Sequence, residues 1–230
     1  MRDNPCIDGY NLWAATYDTI DNPLVTQTAH SLAAHAALFS SASVLELGCG
    51  TGRNAKTAIA FGATAYAGID ASRSMLDIAR RIDEPRLTWV EAELGSYDAA
   101  SADDAPYDLV LICLVLEHFE DIAAIVNAAS CALSPGGKLI ALELHPSLHD
   151  GGVRANFRVD GHEIRLPSFR HVAPELEAAC ARASLSVLSI RDIAPTKPAL
   201  ADSPKLRRYV GKPVLLELIA ERSLSVEHDG

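Results

Sequence analysis

The sequence has little that points to a membrane or to a disulfide framework. Its longest apolar run, residues 109–116, is far shorter than the roughly 20 residues that span a bilayer. No apolar signal-peptide segment follows residues 1–5. The five cysteines are odd in number, widely scattered and form no Cys-x-x-Cys pair. We therefore expect a cytoplasmic protein without membrane insertion, disulfides or a cysteine-based zinc site.

Positive charge is also scarce. The 230 residues contain 20 Lys and Arg against 30 Asp and Glu, a net charge of -10. Binding to nucleic acid depends on Lys and Arg that neutralise phosphates, so a nucleic-acid partner is not expected. No internal repeat or low-complexity tract divides the chain, and its length suits one α/β domain with a full core. We therefore expect a single domain over residues 1–230.

Apolar runs alternate with helical patterns along the chain, which indicates a parallel sheet with helices on both faces. The predicted strands are 43–47, 64–69, 87–91, 107–113, 138–144, 185–191 and 214–220. The predicted helices are 6–18, 23–39, 52–61, 73–81, 121–133 and 174–183. Residues 95–106 and the proline-rich residues 195–213 are predicted as loops.

An insertion follows the fifth strand, and its clearest feature is a β-hairpin. Asp160-Gly161 between two alternating stretches predicts a two-residue turn that pairs Val159 with His162 and Phe157 with Ile164. One face of this hairpin is then largely apolar. The core edge, a bound ligand or a second subunit, which would make a homodimer, are the three candidates for covering that face.

A glycine-rich turn sits between the first strand and its helix, in the run VLELGCGTG of residues 44–52. Glycines in such a turn let the backbone approach a nucleoside closely. Arg53 stands where the third glycine of a dinucleotide fingerprint would be, and no phosphate-binding lysine follows. Asp70 ends the second strand, where a carboxylate can accept hydrogen bonds from ribose hydroxyls or cap the next helix.

This run resembles motif I of the class I methyltransferases that use S-adenosylmethionine. The segments GIDASRSML (68–76), WVEAEL (89–94), CLVLEHF (113–119) and LSPGGKL (133–139) resemble the family's later motifs. The resemblance covers about residues 10–145. It implies a Rossmann-like, seven-stranded, mostly parallel sheet, with the last strand antiparallel between the fifth and sixth, plus the hairpin insertion after strand 5.

The N-terminal segment YNLWAATYD (10–18) resembles the corresponding segment of ubiquinone and menaquinone C-methyltransferases and of glycine N-methyltransferases, where it covers the cofactor. We therefore expect residues 1–40 to form a helical lid and residues 145–173 an inserted cap. Aromatic faces suit a weakly hydrated sulfonium, so Tyr17 is assigned to the lid and Trp13 to the core.

The resemblance also implies roles for individual residues. Asp70 would bind the ribose, Glu46 would neighbour the amino group of the methionine moiety, Met75 would flank the adenine, and Glu93 would bind its amino group. The full set of predicted cofactor-binding residues is Tyr17, Glu46, Gly48, Cys49, Gly50, Gly52, Asp70, Ala71, Met75, Glu93, Leu94, Cys113 and Leu114.

Two histidines are the predicted catalytic residues. His118 follows the fourth strand and His145 the fifth, so both lie at the carboxyl edge of the sheet, where a general base could act. Packing or capping is the alternative for each. His145 and His149 are four residues apart, but no third ligand accompanies them, so no metal site is predicted.

These observations predict an S-adenosylmethionine-dependent methyltransferase that acts on a small molecule, with the acceptor atom, oxygen, nitrogen or carbon, left open. An NAD(P)-dependent oxidoreductase and a non-methylating protein that binds S-adenosylmethionine are the alternatives. Arginines in the insertion favour an acceptor that carries a carboxylate; they are Arg154, Arg158, Arg165 and Arg170.

Overall fold

The computed structural model describes residues 4–96 and 106–224, so residues 97–105 of one predicted loop lie outside the described ranges. Nine strands are described: β1 Ser43–Leu47, β2 Ala65–Asp70, β3 Leu87–Glu91, β4 Tyr107–Cys113, β5 Leu133–Leu144, β6 Asn156–Val159, β7 His162–Arg165, β8 Leu185–Ile193 and β9 Leu215–Arg222. The α-helices are α1 Pro5–Tyr17, α2 Pro23–Ala33, α3 Arg53–Ala60, α4 Arg73–Ala79, α5 Ala123–Ala132, α6 Pro146–Asp150, α7 Ala173–Arg182 and α8 Lys197–Asp202.

Seven of these strands form one sheet in the order β3-β2-β1-β4-β5-β9-β8. The first five run parallel, and β9 lies antiparallel between β5 and β8. The sequence order reverses between β1 and β4, and a parallel sheet binds ligands at that switch point, beyond the carboxyl ends of its strands. The predicted Rossmann-like architecture is confirmed.

The two faces of the sheet bury two separate apolar clusters, as the period of a strand requires. Leu45, Val110 and Leu139 pack with residues of α5 and α7 on one face. Val44 and Leu109 pack with residues of α2 and α3 on the other. Helices therefore cover both faces of the sheet, as the alternation of strands and helices predicted.

The hairpin has the predicted register. Val159 pairs with His162 and Phe157 with Ile164, and the turn residues Asp160 and Gly161 both have positive φ. Phe157 is buried against Trp13 of α1, with ring centroids 5.1 Å apart and an interplanar angle of 13°. Helix α1 therefore covers the apolar face of the hairpin. Of the three candidates for covering this face, the core edge, a ligand and a second subunit, the structure shows a contact within the chain's own core.

The prediction of a loop over residues 195–213 was wrong. This stretch contains α8 and a 3-10 helix, Pro204–Tyr209. Two of its four prolines, Pro198 and Pro204, stand in the first turns of these helices, where the missing N–H costs nothing. Thr196 caps α8, and its backbone N–H donates to Gln27 of α2 at 3.0 Å. Proline here starts helices that the packing against α2 stabilises.

Two further boundaries differ from the prediction. The predicted helix over residues 23–39 ends at Ala33 and resumes as a 3-10 helix, Ala36–Phe39. Strand β5 begins at Leu133 rather than at residue 138, because a register shift between Tyr107 and Leu109 of β4 accommodates the extra residues. Within the described ranges, no helix is both long and apolar enough to span a membrane.

Candidate functional site

The glycine turn joins β1 to α3 beside the end of β2. The backbone N–H groups of Gly48 and Cys49 both donate to the Ile69 carbonyl, at 2.8 and 3.0 Å. Gly48, Gly50 and Gly52 all have positive φ, which other residues rarely adopt. A Cβ atom at Gly48 or Gly52 would also overlap neighbouring side chains, whereas at Gly50 the space is open. Gly50 is therefore the glycine that presents bare backbone to a ligand.

Asp70 holds this turn in place from the end of β2. Its Oδ2 accepts from the Gly50 N–H at 2.8 Å, and its Oδ1 accepts from the Ser72 N–H at 2.8 Å. Burial raises the pKa of Asp70, and these backbone donors oppose the rise. Each carboxylate oxygen can accept a further hydrogen bond, so Asp70 can bind hydroxyl groups while it shapes the turn.

A first cavity of about 190 Å³ opens between the glycine turn, β2 and α1. It brings together most of the predicted cofactor residues: Tyr17, Gly48, Gly50, Asp70, Ala71, Met75, Glu93, Leu94, Cys113 and Leu114. His118 lines it as well. Of the other predicted residues, Gly52 is the residue before α3, where its φ of +76° and the adjacent Trp89 require a glycine.

Glu46 and Cys49 line a small third cavity of about 50 Å³ on the other side of the turn, together with Gly48 and Gly50. The Glu46 carboxylate is buried, accepts from Asn54 Nδ2 at 2.7 Å and accepts from the Tyr66 hydroxyl. Burial raises the pKa of Glu46 to about 7. This carboxyl group is therefore poised to ionise when a cation approaches.

Helix α1 closes over the first cavity and is fastened to it at two points. Asn11 Oδ1 accepts from the Ser72 hydroxyl at 2.8 Å and from the Ser74 N–H at 3.1 Å. Asp18 Oδ1 accepts from the Thr51 hydroxyl at 3.1 Å and lies 3.2 Å from Arg53 Nε. These contacts join the helix to the starts of α3 and α4, on either side of the glycine turn.

The two predicted catalytic histidines have different surroundings. His118 Nε2 lies 2.8 Å from the Tyr10 hydroxyl, and its Nδ1 lies 2.9 Å from the Pro167 carbonyl oxygen. Carbonyl oxygens only accept, so Nδ1 carries a hydrogen and, in the neutral ring, Nε2 accepts from Tyr10. Burial raises the pKa of Tyr10, which keeps its hydroxyl protonated.

His145 lies at the start of α6 instead. Its Nδ1 is 2.7 Å from the Ser147 hydroxyl and accepts from the Ser147 N–H, which caps the helix. Its Nε2 is 3.1 Å from Asp192 Oδ1. Among the described residues that line the first and second cavities, His145 is not included. The structure therefore brings only His118 next to the predicted cofactor residues.

A second cavity of about 290 Å³ adjoins the first and shares Tyr10, Tyr17 and Leu114 with it. It lies between α1, the segment after α6 and the 3-10 helix Pro204–Tyr209. Leu114 has a φ of +58°, which is uncommon for a branched side chain and marks the shared wall as a strained position.

Residues 45–139 match a protein-family model described as a methyltransferase domain. Over this range the chain resembles the class I, S-adenosylmethionine-dependent methyltransferases. The matched range runs from β1 into β5 and contains the glycine turn and Asp70. The resemblance drawn from the sequence motifs is confirmed.

Curated relatives align over part of the chain. The chain is 32% identical over 105 residues to a ubiquinone biosynthesis O-methyltransferase of Methylocella silvestris, covering 46% of this chain and 41% of the relative. It is 30% identical over 156 residues to a trans-aconitate 2-methyltransferase of Azoarcus sp., covering 67% and 59%. The chain thus spans about half the length of these relatives.

A solved structure shares the fold of this chain over nearly its whole length. It is an S-adenosylmethionine-dependent methyltransferase from Mesorhizobium loti, with a TM-score of 0.65, 21% identity, and coverage of 94% of this chain and all of the other. At this identity the likeness extends to the fold alone.

Sequence reasoning missed several residues that line the first and second cavities. Cys6 and Ile7 line the first cavity one turn before Tyr10, and the spacing of four and three residues places all three on one face of α1. This spacing could have identified Cys6 and Ile7 from the sequence. Lys205, Arg208 and Tyr209 line the second cavity, but the prediction of a loop there gave no signal for them. Within the described residues, no group of three potential metal ligands occurs.

Proposed function

We propose that this chain transfers a methyl group from S-adenosylmethionine to a small-molecule acceptor. The observation that carries the proposal is the wall of Tyr10, Tyr17 and Leu114 that the first and second cavities share. A methyl donor in the first cavity and an acceptor in the second would meet at that wall. Because methyl transfer from a sulfonium is a direct displacement, positioning of this kind is the main requirement.

Within this proposal, the residues of the first cavity hold the cofactor. Asp70 binds the ribose hydroxyls through its remaining lone pairs, and Met75 and Leu94 flank the adenine, with Glu93 near its amino group. Glu46 faces the ammonium of the methionine moiety from the third cavity. The rings of Tyr10 and Tyr17 lie where the sulfonium would sit, and aromatic faces suit a weakly hydrated cation.

Atoms and charge balance in the proposed methyl transfer. S-adenosylmethionine held in the first cavity would supply the methyl group: a lone pair of the acceptor would form the new bond to the methyl carbon, and the electron pair of the broken sulfur–carbon bond would stay on sulfur, which gives a neutral thioether. When the reacting acceptor atom carries a proton, that proton must also leave. Tyr10 can accept it while its own hydroxyl proton passes to Nε2 of His118, since these atoms are already hydrogen-bonded.

His118 is therefore the proposed general base, Tyr10 its relay to the acceptor, and Pro167 the group that orients the ring. The raised pKa of Tyr10 disfavours a free phenolate, so the two proton transfers should occur together. We assign a structural role to His145, because its ring nitrogens are engaged by Ser147 and Asp192.

The same proposal covers the organisation of the chain. Residues 1–230 form one domain, with 1–40 as a lid over the cofactor and 145–173 as an inserted cap. The acceptor is a diffusible small molecule rather than nucleic acid, as the net charge of -10 favours. The scattered cysteines favour the cytoplasm as its location.

Two alternatives predict different ligands or products. An oxidoreductase would bind NADH, but Arg53 occupies the third glycine position of a dinucleotide fingerprint. A non-methylating protein would bind S-adenosylmethionine without consuming it. Calorimetric titration with S-adenosylmethionine, S-adenosylhomocysteine and NADH tests the first, and release of S-adenosylhomocysteine in the presence of small-molecule extracts tests the second.

We expect both sulfur ligands to bind, NADH to give no binding heat, and an extract to stimulate formation of S-adenosylhomocysteine with methyl label in a small product. Binding of NADH alone would contradict the cofactor assignment. Cofactor binding without turnover in any extract would favour the non-methylating alternative.

A further inference from the structure

The second cavity contains cationic side chains from two separate segments. Arg154 follows α6, and Lys205 and Arg208 lie in the 3-10 helix Pro204–Tyr209. Only 20 of the 230 residues are Lys or Arg, so three of them around one cavity is a local reversal of the protein's charge of -10. Such a reversal raises the local concentration of anions.

The two arginines have no acidic partner among the residues that the structure describes. Arg154 Nη1 is held by two backbone carbonyls, of His149 at 2.5 Å and of Val153 at 2.7 Å. The Arg208 guanidinium lies over the Tyr209 ring, 4.7 Å from its centroid. Both side chains are thus supported by neutral groups, and their remaining N–H donors are available to a ligand.

Lys205 balances the charge of only one of the two acidic residues that line the second cavity, Asp21 and Glu117. Lys205 Nζ donates to the Asp21 carbonyl at 2.8 Å and lies 3.9 Å from Asp21 Oδ2, which offsets one negative charge. The other acid, Glu117, accepts from the Ser168 hydroxyl at 2.7 Å. Two guanidinium groups therefore face one buried carboxylate, and a ligand with one anionic group would balance the cavity.

Trp13 is a buried polar side chain in the wall of the second cavity. It lines the second cavity and is only 6% exposed, and its indole Nε1 is the one buried side-chain polar atom in the described residues without a hydrogen-bond partner. Buried donors of this kind are normally hydrogen-bonded, because an unpaired donor has given up its hydrogen bonds to water. Nε1 itself is closed to solvent, so Trp13 belongs to the packed wall of the cavity rather than to the groups that donate into it.

We propose that the methyl acceptor is a small organic anion whose carboxylate, phosphate or phosphonate group is bound by Arg154 and Arg208. This inference rests on the proposed function, since it names the substrate class for the second cavity. Guanidinium groups bind both kinds of oxyanion in a planar, two-pronged geometry, so their chemistry is shared. The apolar part of the acceptor would lie among Trp13, Leu114 and Leu144.

The test is calorimetric titration of the protein saturated with S-adenosylhomocysteine. The probes are butyrate and phenylacetate, the neutral amide of each, and phenylphosphonate. Each carboxylate should bind at least about tenfold more tightly than its amide, the factor expected from one charge-assisted hydrogen bond. Tighter binding of phenylphosphonate than of phenylacetate would identify the phosphorus oxyanion as the natural group, and the reverse order the carboxylate.

The variants R154Q and R208Q should each lose most of this preference for anions, while affinity for S-adenosylhomocysteine stays within about twofold because neither arginine lines the first cavity. The matched controls are R158Q, on the exposed side of the hairpin, and R207Q, the exposed neighbour of Arg208; both should keep the preference. If R154Q unfolds because its backbone contacts are lost, the exposed Arg208 still decides the matter through R208Q.

Equal binding of anions and amides, or a preference that survives R208Q, would overturn the inference and leave the proposed function intact. Failure of S-adenosylhomocysteine to bind at all would overturn the proposed function instead, so the two failures are distinguishable.

Discussion

At the scale of single residues, Glu46 shows how burial can couple cofactor binding to protons. Its folded-state pKa is raised to about 7, above the unfolded value near 4.3, so the free protein holds a proton there between these pH values. The group thus contributes stability that is full below its unfolded pKa and is lost as pH rises through about 7. An adjacent ammonium favours the ionised form.

We therefore expect S-adenosylmethionine binding to release a proton at pH 6 and to weaken by up to about tenfold per pH unit below the folded pKa of Glu46. Calorimetry in two buffers of different ionisation enthalpy measures the proton release directly. Glu46→Gln should remove both effects and weaken binding at pH 8. A wild-type affinity that does not change between pH 5.5 and 8 would contradict the placement of the ammonium beside Glu46.

His118 and Tyr10 give a second prediction at this scale. With an acceptor whose reacting atom carries a proton, His118→Gln and Tyr10→Phe should each lower kcat about a hundredfold or more, the usual size of general-base effects. His145→Gln should keep kcat near the wild-type value, because its contacts are with Ser147 and Asp192. The measurement is steady-state turnover of the acceptor found by the extract screen. A large loss of kcat in His145→Gln would reverse the assignment of the base.

At the scale of elements, helix α1 is held across the first cavity by side-chain hydrogen bonds as well as by its apolar face. Asn11 satisfies the N–H of Ser74 in the first turn of α4, and Asp18 pairs with Arg53 in the first turn of α3. Such hydrogen bonds contribute about 1 kcal/mol each, so they can open without unfolding the sheet.

The double variant Asn11→Ala and Asp18→Ala should therefore release S-adenosylmethionine about tenfold faster or more, since the loss of two such bonds is worth at least this factor. Stopped-flow displacement measures the rate. Asp8→Ala, an exposed acid on the same helix, is the control and should leave the rate unchanged. If the double variant releases the cofactor at the wild-type rate, α1 is not the lid.

Elements differ in how well their sequences predict them. The Asp160-Gly161 turn follows a local rule and occurs as predicted. Asn22 caps α2 by a contact that is equally local. Helix α8 was missed because the prolines around it were read as loop signals, whereas Gln27 of α2 accepts from the backbone N–H of its cap, Thr196, and its own Ala199 is buried. Local chemistry cannot supply a contact with a residue about 170 positions away in the sequence.

At the scale of the whole molecule, the hairpin and the lid form one packed unit. Phe157 and Leu166 bury their side chains against α1, and a Cβ atom at Gly9 would overlap Leu166. The hairpin therefore supports α1, which lines the first cavity, and also lies next to the second cavity. This contact links residues near the N-terminus to an insertion some 150 residues later.

Phe157→Ala should accordingly lower the free energy of unfolding by about 3 kcal/mol, as for other buried aromatic truncations, and should weaken S-adenosylmethionine binding by loosening α1. Thermal unfolding and calorimetry on the same samples measure the two effects. Arg158→Ala, on the opposite face of the same strand, should change neither. Wild-type stability together with wild-type cofactor affinity in Phe157→Ala would show that the stacking with Trp13 is unimportant.

The sequence by itself determined the parallel strands, the glycine turn and the position of Asp70, whereas the place of β9 followed only from the family resemblance. Burial on both faces of a parallel strand and positive φ in a tight turn restrict residue types locally, so these features can be read without neighbours. The hairpin register was equally determined, because a two-residue turn and a period of two leave one pairing.

Only the tertiary structure decided which of the two predicted histidines lines the first cavity and which arginines line the second cavity. His118 and His145 both follow strands at the same edge of the sheet, yet Tyr10 contacts one and Asp192 the other. Arg208 joins Arg154 because α8 and the following 3-10 helix pack beside α2. Such encounters depend on how remote segments pack, and packing is a property of the whole chain rather than of any local pattern.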